Sequence, residues 1–106
     1  MTYLAGPMSG IPEHNYPAFR AAAKALRDKG YRILSPHEET PCPDHDHPMP
    51  YAYYIRRDLL ALLTRCDSIA LLPGWENSSG AQLEYAVAEK CGYLMYDVVD
   101  GELAPR

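Results

Sequence analysis

The 106-residue chain predicts an α/β domain: a doubly wound, mainly parallel open sheet of four to five strands flanked by helices. Two observations predict it. Short apolar runs alternate along the chain with amphipathic helical patterns, which implies right-handed crossovers. The runs are also unbroken, as expected for strands covered on both faces. The length argues for one domain over residues 1–106 with one core.

The first strand is Thr2-Tyr3-Leu4-Ala5, closed by Gly6-Pro7. A helix follows from about Asn15 to Lys29, with Asn15 as N-cap, Pro17 in the first turn and Gly30 as its stop. Its buried stripe is Phe19, Ala22, Ala23 and Leu26. Tyr31 to Leu34 is the second strand, stopped by Ser35-Pro36. The second helix spans about Tyr51 to Arg65, with Ile55, Leu59, Leu62 and Leu63 as its core face. Ser68 to Leu72 is the strongest strand, ending at Pro73-Gly74. The third helix starts near Ser78 or Ser79 and ends at Cys91-Gly92, with Leu83, Val87 and Ala88 packed inward. Tyr93 to Tyr96 is the last strand. Residues 36–50, rich in proline and charge, are too long for an ordinary connection and read as a lid or flexible loop.

Apolar residues make up 47% of the chain, an ordinary globular share, and no run approaches the roughly 20 residues of a membrane span. The N-terminus lacks the basic and apolar regions of a secretory signal, so a cytoplasmic protein without membrane partners is expected. A net charge of −4 counts against nucleic-acid binding, though not against a small phosphorylated ligand held by local donors. Cys42, Cys66 and Cys91 form no CxxC pair and read as reduced thiols, Cys66 and Cys91 as small buried hydrophobes.

In wound sheets ligands bind beyond the carboxyl ends of the strands, where Gly6–Gly10, Ser35–Pro50 and Pro73–Gly80 would converge. The stretch Gly6-Pro7-Met8-Ser9-Gly10 is an ordinary turn or a backbone cradle for a ligand; it is neither a dinucleotide fingerprint nor a Walker loop. Ser78 and Ser79 would cap the third helix, and with Gly80 the same groups would make an anion site. Glu84 is either a solvated helix glutamate or a carboxylate facing that site, and Asp58 either pairs with a neighbouring arginine at the surface or approaches Glu84. Asp44, His45, Asp46 and His47, with His37 and Cys42 nearby, invite a metal, but their spacing defines no zinc geometry; no metal or cofactor is expected.

Taken together, YLAGPMSG, RRDL, CDSIALLPGW and SSGAQLEYAVA resemble the nucleoside 2-deoxyribosyltransferase family, including its 2′-deoxynucleoside 5′-monophosphate N-hydrolase branch. The likeness is closest to small members of the kind found in phage genomes. It runs from about Tyr3 to Tyr96 and leaves out His37 to Pro50. Its most specific part is an aspartate, an apolar strand, a loop, a glycine and then a glutamate four positions on.

The resemblance implies a Rossmann-like fold and a nucleoside or nucleotide as the small-molecule partner. It makes Glu84 the nucleophile at the anomeric carbon, Asp58 the carboxyl that handles the leaving base, and Tyr3 the phenol beside sugar and nucleophile. Gly6 and the loop through Pro7, Met8 and Ser9 would line the pocket. Ser78 stands where transferases have an aspartate for the 5′-hydroxyl and hydrolases a serine that admits a 5′-phosphate. Pro7 and Ser9 stand where the hydrolases have small polar and basic residues, which leaves a phosphate fewer donors; Arg56 or Arg57 could compensate. The resemblance further implies a homodimer, or a higher homo-oligomer, in which a partner completes the pocket.

The chemistry is coherent on its own terms. N-glycosidic cleavage passes through an oxocarbenium-like sugar that a carboxylate stabilises or traps, while a second acid protonates the base. The helix dipole would keep Glu84 ionised. The competing expectations are a nucleotide-binding or sensing module without turnover, and a metal-dependent hydrolase built on the Asp-His loop.

Overall fold

The computed structural model describes residues 1–39 and 49–106. Its elements in chain order are β1 (Thr2–Ala5), α1 (Tyr16–Asp28), β2 (Ile33–Leu34), α2 (Tyr51–Arg65), β3 (Ser68–Leu71), α3 (Ser79–Lys90), β4 (Leu94–Val99) and β5 (Glu102–Pro105). The strands form one sheet in the order β2-β1-β3-β4-β5, parallel throughout except for the β4–β5 hairpin. This is the doubly wound α/β arrangement the sequence predicts.

Strand alternation divides the core into two layers. Leu4, Ala70 and Leu72 pack with Phe19, Ala22, Ala23 and Leu26 of α1. Tyr3, Ala5, Ile69 and Leu71 point to the opposite face, against Ala61 and Leu62 of α2 and Ala81 and Ala88 of α3. The chain leaves β1 toward β2 and returns to β3 on the other side of β1, so the winding reverses between β1 and β3. The loops after those two strands diverge there and open a crevice.

Several boundaries differ from expectation. Tyr31 is spent on the end of α1, its N–H donating to the Leu26 carbonyl at 3.1 Å, so β2 starts only at Ile33. Asn15 stands at the N-cap position but in the left-handed region (φ 59°) and caps nothing. Its Nδ2 donates instead to the Pro7 carbonyl at 2.9 Å, tying the loop after β1 to the start of α1. β4 runs on to Val99 because β5 pairs with it across Asp100-Gly101, both at positive φ (51° and 73°), as in a two-residue type I′ hairpin turn.

The inward face of α1 is the expected one, Phe19, Ala22, Ala23 and Leu26, whereas those of α2 and α3 are rotated. Leu63 of α2 and Leu83 of α3 are exposed, at 50% and 44%. The inward stripe of α2 is Tyr54, Ala61 and Leu62, with Ile55 and Leu59 only half-buried beside it. That of α3 is Ala81, Glu84 and Ala88, with Val87 half-buried. Cys66 is buried as expected, whereas Cys91 is exposed beyond the end of α3. Within the expected lid, Pro36–Glu38 form a short helical turn; Cys42 and the Asp44–His47 stretch lie outside the described residues. No described helix is long and apolar enough to cross a membrane.

Candidate active site

A cavity of about 540 Å³ occupies the crevice. That volume suits a small-molecule ligand. Tyr3, Gly6, Pro7, Met8, Ser9, Asp58, Ser78, Ser79, Gly80 and Glu84, drawn from β1, α2, α3 and two loops, all line it.

Glu84 reaches the cavity because of what surrounds it on its helix. Ala81 and Ala88 share its inward stripe, and such short side chains let α3 lie close to the sheet. Glu84 is then the one long side chain on that stripe, 5% exposed. Tyr3 comes from β1 on the same face of the sheet, fully buried, and its phenol donates a hydrogen bond to Glu84 Oε2. Asp58 occupies the equivalent place on α2, one turn after Tyr54 and one turn before Leu62, with its side chain 15% exposed.

Burial governs the protonation of this group. It pushes the Glu84 carboxyl up from its ordinary 4.5 to about 8; the Tyr3 hydrogen bond pulls the other way, and the Asp58 charge adds a smaller upward push. The expectation that the helix dipole keeps Glu84 ionised is therefore corrected. Glu84 is the sixth residue after the cap, and the dipole's effect fades within the first turn. Asp58 is also raised: burial outweighs the opposing charge and hydrogen bonds of Arg57. The Tyr3 phenol lies well above its usual range, again chiefly through burial, so it remains a donor.

The loops contribute backbone and small side chains. Gly6 is required by packing, since a Cβ there would lie 2.8 Å from Leu72 Cβ. Ser78 caps α3, its Oγ accepting from the Ala81 N–H at 3.2 Å. Among the described residues no hydrogen bond is donated by the Ser78 hydroxyl or by the Ser79 and Gly80 N–H groups. At Gly80 a Cβ would come 2.9 Å from the Tyr51 hydroxyl, so α2 and α3 begin in close approach at the cavity wall.

The two arginines differ in their placement. Arg56 is exposed, absent from the lining, and bonded to the Ala52 carbonyl at 3.2 Å. Arg57 lines the cavity but is engaged with Asp58 and with loop carbonyls. His14, Tyr51 and Tyr54 also line the cavity and were not singled out in the sequence. Tyr54 was within reach of a helical-wheel argument, lying one turn before Asp58. His14 was not, because it sits in a turn where Glu13, His14 and Asn15 all adopt positive φ. Among the described residues no group of histidines, cysteines and carboxylates is placed to hold a metal ion.

A comparison with curated proteins returns no match. Residues 1–97 match the family model described as Domain of unknown function (DUF4406), and the chain belongs to that family.

Proposed function

We propose that the cavity is the active site of an enzyme that cleaves or transfers the N-glycosidic bond of a (deoxy)nucleoside or its 5′-monophosphate. The observation that carries this reading is the Tyr3–Glu84 pair: a buried carboxyl, oriented by a phenol, on the wall of a cavity that a second, half-buried carboxyl, Asp58, also lines. The resemblance to nucleoside 2-deoxyribosyltransferases and nucleotide N-hydrolases supports it further.

In this reaction the Glu84 carboxylate attacks the anomeric carbon as the C–N bond breaks. The bonding pair goes to the base nitrogen, which takes its proton from Asp58. The product is a glycosyl ester on Glu84. Water then attacks the same carbon, returns a proton to Asp58 and releases the sugar with overall retention, or a second base takes the water's place. Tyr3 favours the ionised form of Glu84, and developing positive charge on the sugar favours it more. Ser78, Ser79 and Gly80 at the start of α3 receive the 5′-hydroxyl or 5′-phosphate. Exposed Leu60, Leu63 and Leu83 on α2 and α3 support a homodimer; the expected result of sedimentation equilibrium is twice the 11.9 kDa chain mass.

Rapid quenching during turnover, followed by peptide mass analysis, tests the mechanism. The expected result is a sugar adduct on the peptide containing Glu84. Turnover with the adduct on another residue removes Glu84 as nucleophile.

A second reading, a nucleotide-binding or sensing module without turnover, is favoured by the burial of Glu84, which pushes its carboxyl up to about 8 and so disfavours the ionised form a nucleophile needs. Thermal protection by a nucleotide without release of free base would favour this module.

A further inference from the structure

We infer that Arg57 is the positioning residue of Asp58: its guanidinium occupies Oδ1 and so directs the proton and the ligand contact of that carboxyl to Oδ2. The inference rests on the proposed role of Asp58 as proton donor to the departing base, and adds which oxygen performs it and what holds it there.

Adjacent residues on a helix point about 100° apart and do not normally meet. Arg57 and Asp58 meet nonetheless, with Nε and Nη2 donating to Asp58 Oδ1 at 3.0 and 2.9 Å. The contact forms because the guanidinium is held from outside the helix. Nη1 donates to the Glu39 carbonyl and Nη2 to the Pro36 carbonyl, each at 3.3 Å, and the Tyr54 ring lies 5.2 Å below the guanidinium carbon. Fixed in this way, both partners are only 15% exposed, so solvent screens the pair weakly. Among the described residues no hydrogen bond is directed at Oδ2, and Asp58 is part of the cavity lining.

Asp58 interacts electrostatically with Arg57 of its own helix, Glu39 beyond β2, Glu84 of α3 and Tyr3 of β1. Arg57 is the cation of this set, and it alone opposes the burial that drives Asp58 toward its neutral form. In the reaction the proton on Oδ2 passes to the base nitrogen, which holds the electron pair of the broken C–N bond, and Asp58 is left as a carboxylate facing Arg57. The same fork thus orients the acid and stabilises the charge left behind.

The test is a carbon-13 NMR titration of the Asp58 carboxyl in the ligand-free full chain, run for the native protein, Arg57→Met and Arg57→Lys. Arg57→Met is expected to raise the apparent Asp58 pKa by about one to two units, and Arg57→Lys, which keeps the charge but loses the fork, by less. The acid limb of the pH–rate profile should move upward with the titration. An Asp58 titration unmoved in folded Arg57→Met overturns the inference; should that variant not fold, an unmoved titration in Arg57→Lys does so. Because the titration needs no substrate, it separates the two claims. A shifted Asp58 in a protein that releases base from no nucleotide keeps the clamp and removes the glycosidic reading.

Discussion

Tyr3 and Glu84, 81 positions apart in sequence, meet between the sheet and α3, where the phenol of the first strand donates to the carboxyl of the last helix. The contact ties β1 to α3 and is the hydrogen bond that Glu84 receives among the described residues. Tyr3→Phe removes the donor and leaves a buried acceptor unsatisfied. The expected cost is about 1–3 kcal/mol in urea denaturation. The Glu84 carboxyl should also rise above its present value near 8, since the hydrogen bond favours the ionised form.

Stability should fall with pH between about 4.5 and 8. Glu84 binds its proton more tightly folded than unfolded, so its contribution is fully present below its ordinary pKa of 4.5 and is lost as pH rises through about 8. If the whole shift is realised, the loss is on the order of 5 kcal/mol. Glu84→Gln, a neutral side chain of the same shape, should flatten this dependence and be more stable than the native chain at pH 9. Denaturation midpoints measured at several pH values check both statements.

Turnover should follow a bell-shaped pH profile whose limbs belong to Glu84 and Asp58 as a pair. The pair loses its remaining proton near pH 8, which sets the alkaline limb, and gains a second proton at lower pH, which sets the acid limb. Asp58→Asn should remove one limb and lower turnover of substrates with poor leaving groups about a hundred-fold.

Gly6→Ala would place a Cβ 2.8 Å from Leu72 Cβ and 2.9 Å from Leu72 Cδ1, across the joint between β1 and β3. Neither strand end yields without moving the cavity wall. The expected cost is about 1–3 kcal/mol, read from thermal or urea unfolding.

The strands and the winding were legible because apolar runs and their Gly-Pro stops report sheet burial directly. β1 was predicted residue for residue, and β3 to within its last residue. The site was legible as a set of loops and two carboxylates, with Tyr3 added by the family resemblance. The orientation of those carboxylates was obscured by the assumption that leucines take the inward stripe. Here Ala81 and Ala88 carry α3 close to the sheet and leave the stripe to Glu84, while Leu83 faces out. Asp58 sits among Tyr54, Ala61 and Leu62 in the same manner. The β4–β5 hairpin has a local signal, Asp100-Gly101 between β-prone residues, although β5 itself is short and half-exposed. The left-handed turn carrying His14 had only a weak one: histidine and asparagine tolerate positive φ, but Glu13 does not, and three such residues in a row are not expected.

The most direct measurement is release of free base from a panel of ribo- and deoxyribonucleosides and their 5′-monophosphates, with native chain and Glu84→Gln side by side and a free-base acceptor in a parallel set. The account predicts that the native chain releases base from at least one member and that Glu84→Gln, folded as judged by circular dichroism, is slower by at least about a hundred-fold. Equal rates in the two proteins, or no base released from any member by the native chain, would contradict it.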